Sequence, residues 1–233
     1  MTFYIDSRRE HCSLEIGHGL RKCIQQHFQH WTELVFLCIG SDRITGDSLG
    51  PYIGYNLSGC RLPGTALYGT LESPVHAMNL SSTLTDIYQN HKSPLVIAID
   101  ASLGTKKHLG FVTIGNGKLY PGAGVHKQLP AAGDIFITGI VSYAGMLEHF
   151  SLQNTRLYTV ISMANAITDG ILYAYRSCCQ RFPQLLEEAP RGTAEDDSLC
   201  FPETFTASAR GETAFSSSRP PFHTDCSIYP PDK

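Results

Sequence analysis

The chain has 233 residues, of which 42% are hydrophobic and 17% are charged. This length and composition allow a sizeable hydrophobic core, so we expect one large domain, with or without a tail. The 18 Lys and Arg residues and the 21 Asp and Glu residues give a formal net charge of -3. This balance excludes binding to nucleic acid or to an anionic membrane through bulk positive charge.

The beginning of the chain and its cysteines indicate a cellular compartment. The first ten residues lack the basic and then apolar pattern of a secretion signal, and no apolar run approaches the roughly 20 residues that span a bilayer. Eight cysteines are scattered along the sequence, without Cys-x-x-Cys or zinc-finger spacing. We therefore expect a cytoplasmic protein with reduced thiols.

The first half of the chain alternates between apolar strands and amphipathic helices. In chain order, the pattern predicts a helix at 19–28, a strand at 34–39, a helix from 50 to 57, a strand at 65–68, a helix at 80–88 and a strand at 95–99. The runs at 34–39 and 95–99 are continuously apolar, which is typical of parallel strands buried on both faces. We predict a three-layer α/β/α sandwich with a mainly parallel or mixed sheet.

The second half contains more glycine and proline. The pattern predicts a strand at 110–114, a loop at 120–126, a weaker strand at 135–138, a short helix at 143–150, a strand at 157–161 and a closing helix at 164–181. We therefore place a single domain at residues 1–183. Residues 187–233 carry acidic, Ser and Pro clusters without an apolar period, which predicts a disordered or loosely docked C-terminal tail.

Two aspartates, Asp47 and Asp100, follow the two predicted buried strands. In a layered sheet the ligand crevice lies outside the carboxyl ends of the parallel strands, so both side chains can meet there. Two neighbouring carboxyl groups tend to share one proton, and such a pair can activate water and polarise a carbonyl group. Two structural alternatives stay open, because Asp47 could cap the following helix and Asp100 could form a turn.

A glycine-rich segment, Pro121-Gly-Ala-Gly-Val-His126, is a third feature of interest. Gly122 and Gly124 allow consecutive backbone N–H groups to point at one spot, which would suit a substrate carbonyl or oxyanion. A tight connection between strands is the structural alternative. His126 could act as a base, bind a metal or be an ordinary loop histidine.

Four segments carry a family resemblance: residues 40–51, 68–77, 98–104 and 121–125. They resemble the bacterial sporulation family YyaC, whose members are often labelled spore proteases. The resemblance extends over residues 30–180 and leaves out the tail.

Two of these segments also resemble more distant peptidases. Thr45-x-Asp47-x-Leu-Gly-Pro51 and Ala98-Ile-Asp-Ala101 are similar to elements of the germination protease that degrades small acid-soluble spore proteins. The aspartates of those elements are regarded as catalytic, which implies that Asp47 and Asp100 are catalytic here. The elements are also similar to those of hydrogenase maturation endopeptidases, which are α/β/α proteins. There the two acidic residues and a later histidine bind nickel, which implies His126 as a candidate third ligand.

From the residues and the resemblance together, we predict a sporulation- or germination-associated endopeptidase in which Asp47 and Asp100 activate water. We expect a protein or peptide substrate, such as a spore protein, and no obligatory cofactor. One alternative is a maturation-type hydrolase that binds nickel or zinc through Asp47, Asp100 and His126. Another is a non-catalytic sporulation binding protein on the same fold. Equal cleavage by the wild type, Asp47→Asn and Asp100→Asn would eliminate the peptidase, whereas equilibrium dialysis without retained nickel or zinc would argue against the maturation-type hydrolase.

Overall fold

One six-stranded mixed sheet organises the computed structural model, which describes residues 1–27, 31–122, 129–144 and 148–179. The strands are β1 (Thr2–Asp6), β2 (Glu33–Cys38), β3 (Thr65–Tyr68), β4 (Pro94–Gly104), β5 (Phe111–Asn116) and β6 (Ile135–Tyr143). Their order in the sheet is β1-β5-β6-β4-β2-β3. The neighbours β6, β4, β2 and β3 are parallel, whereas β5 is antiparallel to both β1 and β6.

Helices cover both faces of this sheet. They are α1 (Cys12–Gln26), α2 (Leu49–Ser58), α3 (Leu80–Asn90), α4 (Glu148–Gln153) and α5 (Leu157–Cys179). The hydrophobic core on one face includes α1, α2 and α5, and the core on the other face includes α3. The predicted three-layer α/β/α sandwich with a mixed sheet is therefore confirmed.

The apolar run of β4 shows why the strand is buried on both faces. Successive side chains of a strand point to opposite faces. Leu95, Ile97 and Ile99 accordingly pack with α1, α2 and α5, while Val96 and Ala98 pack with α3. A continuous apolar sequence is what a strand between two helical layers requires.

The connections of β2 and β4 create a crevice at the carboxyl edge of the sheet. The chain leaves β2 through α2 to reach its neighbour β3, and then returns through α3 to β4 on the other side of β2. Because α2 and α3 cover opposite faces, the carboxyl ends of β2 and β4 lie on either side of a topological switch point. Open α/β sheets bind ligands at such points.

Several predicted boundaries were wrong. Residues 157–161 were predicted to be a strand, but they form the beginning of α5, since a short apolar run has the same pattern in a buried helix as in a strand. The helix predicted at 143–150 is α4, which begins only at Glu148, and Tyr143 instead ends β6. The N-terminal strand β1 was not predicted at all.

The boundary at residue 183 and the tail at 187–233 lie outside the described residues. Within the described ranges, no helix combines the length and apolar character needed to cross a bilayer.

Candidate active site

A cavity of about 430 Å³ opens at the carboxyl edge of the sheet. Its walls include both predicted aspartates, Asp47 and Asp100, together with His76, Thr138 and Gly122. The sheet thus brings together side chains that are far apart in sequence. The cavity lies where the switch point between β2 and β4 predicts a ligand site.

Asp47 reaches the cavity from a tight turn that follows β2. It lies in a short 3-10 helix, Thr45–Ser48, and its backbone N–H donates to the carbonyl oxygen of Ile44 at 2.9 Å. Its own carbonyl oxygen accepts from the N–H of Ser41 at 3.0 Å. Ser48, not Asp47, occupies the N-cap position of α2, so the capping interpretation of Asp47 was wrong. The turn therefore presents a half-buried carboxylate to the cavity.

The turn that carries Asp47 depends on Gly40. Its φ of 142° is a conformation that residues with a side chain rarely adopt, and a Cβ there would collide with the carbonyl oxygen of Asp47. We expect Gly40→Ala to lower the free energy of unfolding by more than about 1 kcal/mol, as measured by urea denaturation.

A matched control for Gly40→Ala is Gly59→Ala at the end of α2. Gly59 has a φ of -78°, and the nearest atom to an added Cβ is the carbonyl oxygen of Asn56 at 3.7 Å. Equal destabilisation by the two substitutions would show that the turn does not require glycine at Gly40.

Asp100 lies within β4 rather than beyond it. The strand continues to Gly104, and Asp100 is in register with Thr138 of β6. The sequence prediction ended the strand too early, because the pattern changed from apolar to polar where β4 reaches the cavity. The interpretation of Asp100 as a turn residue was therefore also wrong.

The environment of Asp100 favours its protonated form. The residue is only 7% exposed, and burial raises the pKa of its carboxyl group well above the ordinary value. The negative charge of Asp47 raises the pKa further, while a 2.8 Å hydrogen bond from the N–H of Ala101 to Oδ1 opposes the shift. Asp100 thus keeps its proton at pH values where an exposed aspartate has lost it.

Two threonines extend the polar surface next to Asp100. Thr138 lines the cavity, and its hydroxyl lies 2.6 Å from the hydroxyl of Thr113 on β5. Thr113 is only 7% exposed. Asp100, Thr138 and Thr113 therefore form a polar row across β4, β6 and β5.

His76 is a cavity residue that sequence reasoning missed. It directly follows Val75, which forms an isolated parallel bridge with Ile39 just beyond β2. The N–H of Gly40 donates to the carbonyl oxygen of Val75 at 2.8 Å, so the segments that carry His76 and Asp47 are tied together. A signal was available, since His76 follows β3 as Asp47 follows β2, and both strands end at the same edge.

The predicted glycine loop is described only at its beginning. Gly122 lines the cavity with a φ of 85°, whereas Gly124 and His126 lie outside the described residues. The anion-binding role of this loop therefore stays a prediction.

The predicted metal site cannot be assembled from the described part of the chain. There, no group of three or more His, Cys, Asp or Glu side chains is arranged to hold a metal ion. Asp47 and Asp100 supply two carboxylates, but the third predicted ligand, His126, lies outside the described ranges. The binding of a metal by these three residues therefore stays a prediction.

The chain is similar to known proteins in sequence and in structure. "Uncharacterized protein YyaC" of Bacillus subtilis (strain 168) is 51% identical over 138 residues, which cover 59% of this chain and 67% of that protein. Among solved structures, the [NiFe] hydrogenase maturation protease HycI from Thermococcus kodakarensis KOD1 matches with a TM-score of 0.36 and 17% identity. That match covers 64% of this chain and 97% of HycI.

The family model described as "Protein of unknown function (DUF1256)" matches residues 9–170. This range contains every strand of the sheet except β1 and every described residue of the cavity named above. Together with the similarity to YyaC, the match shows that the chain belongs to the DUF1256 family.

Proposed function

We propose that this protein is an endopeptidase in which Asp47 and Asp100 activate a water molecule for attack on a peptide bond. The observation that carries the proposal is the pairing of two unlike carboxyl groups in one cavity: Asp100 is buried within β4, and Asp47 is half-buried on a turn. Two carboxyl groups whose environments move their pKa values apart can act as an acid and a base in one reaction.

The roles follow from the two environments. Asp100 carries the proton and donates a hydrogen bond to the substrate carbonyl oxygen, which makes the carbonyl carbon more electrophilic. Asp47, as the carboxylate, accepts a proton from water while the water oxygen bonds to that carbon. The C–N bond then breaks as Asp47 passes the proton to the leaving nitrogen. The products are a carboxylic acid and an amine, and both aspartates return to their initial states.

The biological setting belongs to the same proposal. The resemblance to sporulation and germination proteins supports a spore protein as substrate and the cytoplasm of a sporulating cell as location. A chain segment in extended form suits the cavity, because the carbonyl group to be attacked must reach Asp100, which is 93% buried, at its wall. We therefore expect unfolded proteins and flexible peptides to be cleaved before compact proteins.

The test is hydrolysis of a denatured protein and a mixed peptide library in water enriched in ¹⁸O, followed by mass spectrometry. We expect new C-termini that carry ¹⁸O from the wild-type protein, and none from the Asp47→Asn/Asp100→Asn double variant. Asp86→Asn, which alters an exposed aspartate on α3, serves as the control and should cleave as the wild type does. Equal cleavage by the double variant would refute the proposal.

A further inference from the structure

Three adjacent parallel strands, or the segments that follow them, place polar side chains at the cavity, and His76 is one of these residues. Asp100 lies in β4, Asp47 follows β2, and His76 follows β3. We propose that the Nε2–H group of His76 donates a hydrogen bond to the carbonyl oxygen of the peptide substrate. This inference rests on the proposed function and adds a second donor to the one that Asp100 supplies.

Hydrogen bonds that do not involve Nε2 of the ring hold the backbone around His76 in place. The N–H of His76 donates to Oδ1 of Asn79 at 2.7 Å, and Nδ2 of Asn79 donates to the carbonyl oxygen of Pro74 at 3.1 Å. The carbonyl oxygen of His76 accepts from the N–H of Leu80, at the beginning of α3, at 2.9 Å. The residue therefore has a fixed position at the cavity wall, as a binding group requires.

One hydrogen bond also decides which ring nitrogen carries the proton. The backbone N–H of Met78 donates to Nδ1 of His76 at 3.3 Å, so Nδ1 acts as an acceptor. In a neutral imidazole ring one nitrogen donates and the other accepts, which leaves the proton on Nε2. No described residue accepts a hydrogen bond from this Nε2, although the half-buried ring lines the cavity. A substrate oxygen would complete its hydrogen bonding.

His91 shows what a purely structural histidine looks like in the same fold. Its Nε2 lies 2.7 Å from the hydroxyl of Tyr68, and its Nδ1 lies 2.9 Å from Oε1 of Glu33. Both ring nitrogens are therefore engaged within the protein and tie the end of α3 to β2 and β3. Among the described residues the ring of His76 has one such bond, and it lines a cavity, which favours a ligand as its second partner.

Two substitutions separate a donor at Nε2 from a structural role. In His76→Asn the side-chain oxygen can take the place of Nδ1 and accept from Met78, but no donor reaches the position of Nε2. In His76→Gln the longer amide can place its NH₂ group near that position. We expect His76→Asn to lower kcat by about 10²–10³-fold with little change in KM, because loss of one oxyanion donor costs that much. His76→Gln should stay within about tenfold of the wild type.

A binding measurement complements the kinetics. A peptide analogue with a tetrahedral, hydroxyl-bearing carbon in place of the scissile carbonyl should bind His76→Asn at least about tenfold more weakly than the wild type. Urea denaturation should give the same midpoint for the wild type and His76→Asn. Wild-type kcat in His76→Asn, or equal losses in both His76 variants, would overturn the role of His76 while leaving the aspartates in place. Normal hydrolysis by Asp47→Asn and Asp100→Asn would instead refute the proposed function.

Discussion

Asp100→Asn and Asp47→Asn are each expected to lower the rate of peptide hydrolysis by about 10²–10⁴-fold, the usual contribution of a positioned acid or base. Asparagine has nearly the shape of aspartate but cannot give or accept the proton that the reaction moves. At Asp100 the loss removes the proton that polarises the carbonyl group. At Asp47 it removes the base that takes a proton from water. The measurement is kcat on a fluorogenic peptide chosen from the cleaved sequences.

The pH dependence of that rate gives a second readout. The proposed reaction needs Asp100 protonated, so activity should fall as the pH rises through the range in which Asp100 loses its proton. Because burial and the charge of Asp47 raise the pKa of Asp100, the alkaline limb should lie well above the ordinary range of an aspartate. Asp86→Asn should show the wild-type profile. Wild-type rates in either single variant would contradict the catalytic pair.

The second large expected effect is a gain of stability in the variant Asp100→Asn. In the unfolded chain Asp100 ionises near its ordinary value, whereas in the folded protein its raised pKa keeps the proton bound to higher pH. Between these two values the folded state binds more protons, so wild-type stability falls as pH rises through that window. Asparagine does not ionise, and the variant lacks this loss.

Thermal unfolding at two pH values tests the sign of this effect. At pH 7 we expect the Tm of Asp100→Asn to exceed that of the wild type by at least about 2 °C, the shift that roughly 1 kcal/mol produces in a domain of this size. Near pH 3 the carboxyl group is protonated in both states, and the two Tm values should converge. Asp86→Asn should lack such a gain at pH 7. A lower Tm for Asp100→Asn at pH 7 would contradict this prediction, because it would show that the surroundings of Asp100 stabilise its carboxyl group at that pH.

The layered fold was predictable because its signal is local. The runs that became β2 and β4 are apolar throughout, as strands between two helical layers must be, and Gly50-Pro51 marks the first turn of α2. The convergence of Asp47 and Asp100 followed from the rule that parallel strands end at one edge. Those features required no knowledge of distant contacts.

The errors came from segments whose local sequence pattern does not determine their structure. β1 is an edge strand that pairs only with β5, and its first residues alternate weakly between polar and apolar. Residues 157–161 read as a strand because a short apolar run gives no period of its own. In the structure they begin α5, where Val160 is buried in the core whereas Leu157 and Tyr158 are exposed.

His76 was missed although it follows β3 as Asp47 follows β2. The bridge between Val75 and Ile39, which holds the segment of His76 at the cavity, is a contact between distant parts of the chain. The burial of Asp100 likewise arises from the extension of β4 beside β6. The sequence could place the two aspartates at one edge, but it could not show which of them is buried.

The central claim is that Asp47 and Asp100 interact as a pair of unlike carboxyl groups. The most direct measurement is a ¹³C NMR titration of the aspartate side-chain carboxyl carbons, with the Asp100 resonance assigned from Asp100→Asn. We expect this resonance to titrate well above the range of the exposed aspartates, and to move to lower pH in Asp47→Asn while staying raised by burial. An Asp100 that titrates with the exposed aspartates, or that does not respond to Asp47→Asn, would contradict the pair.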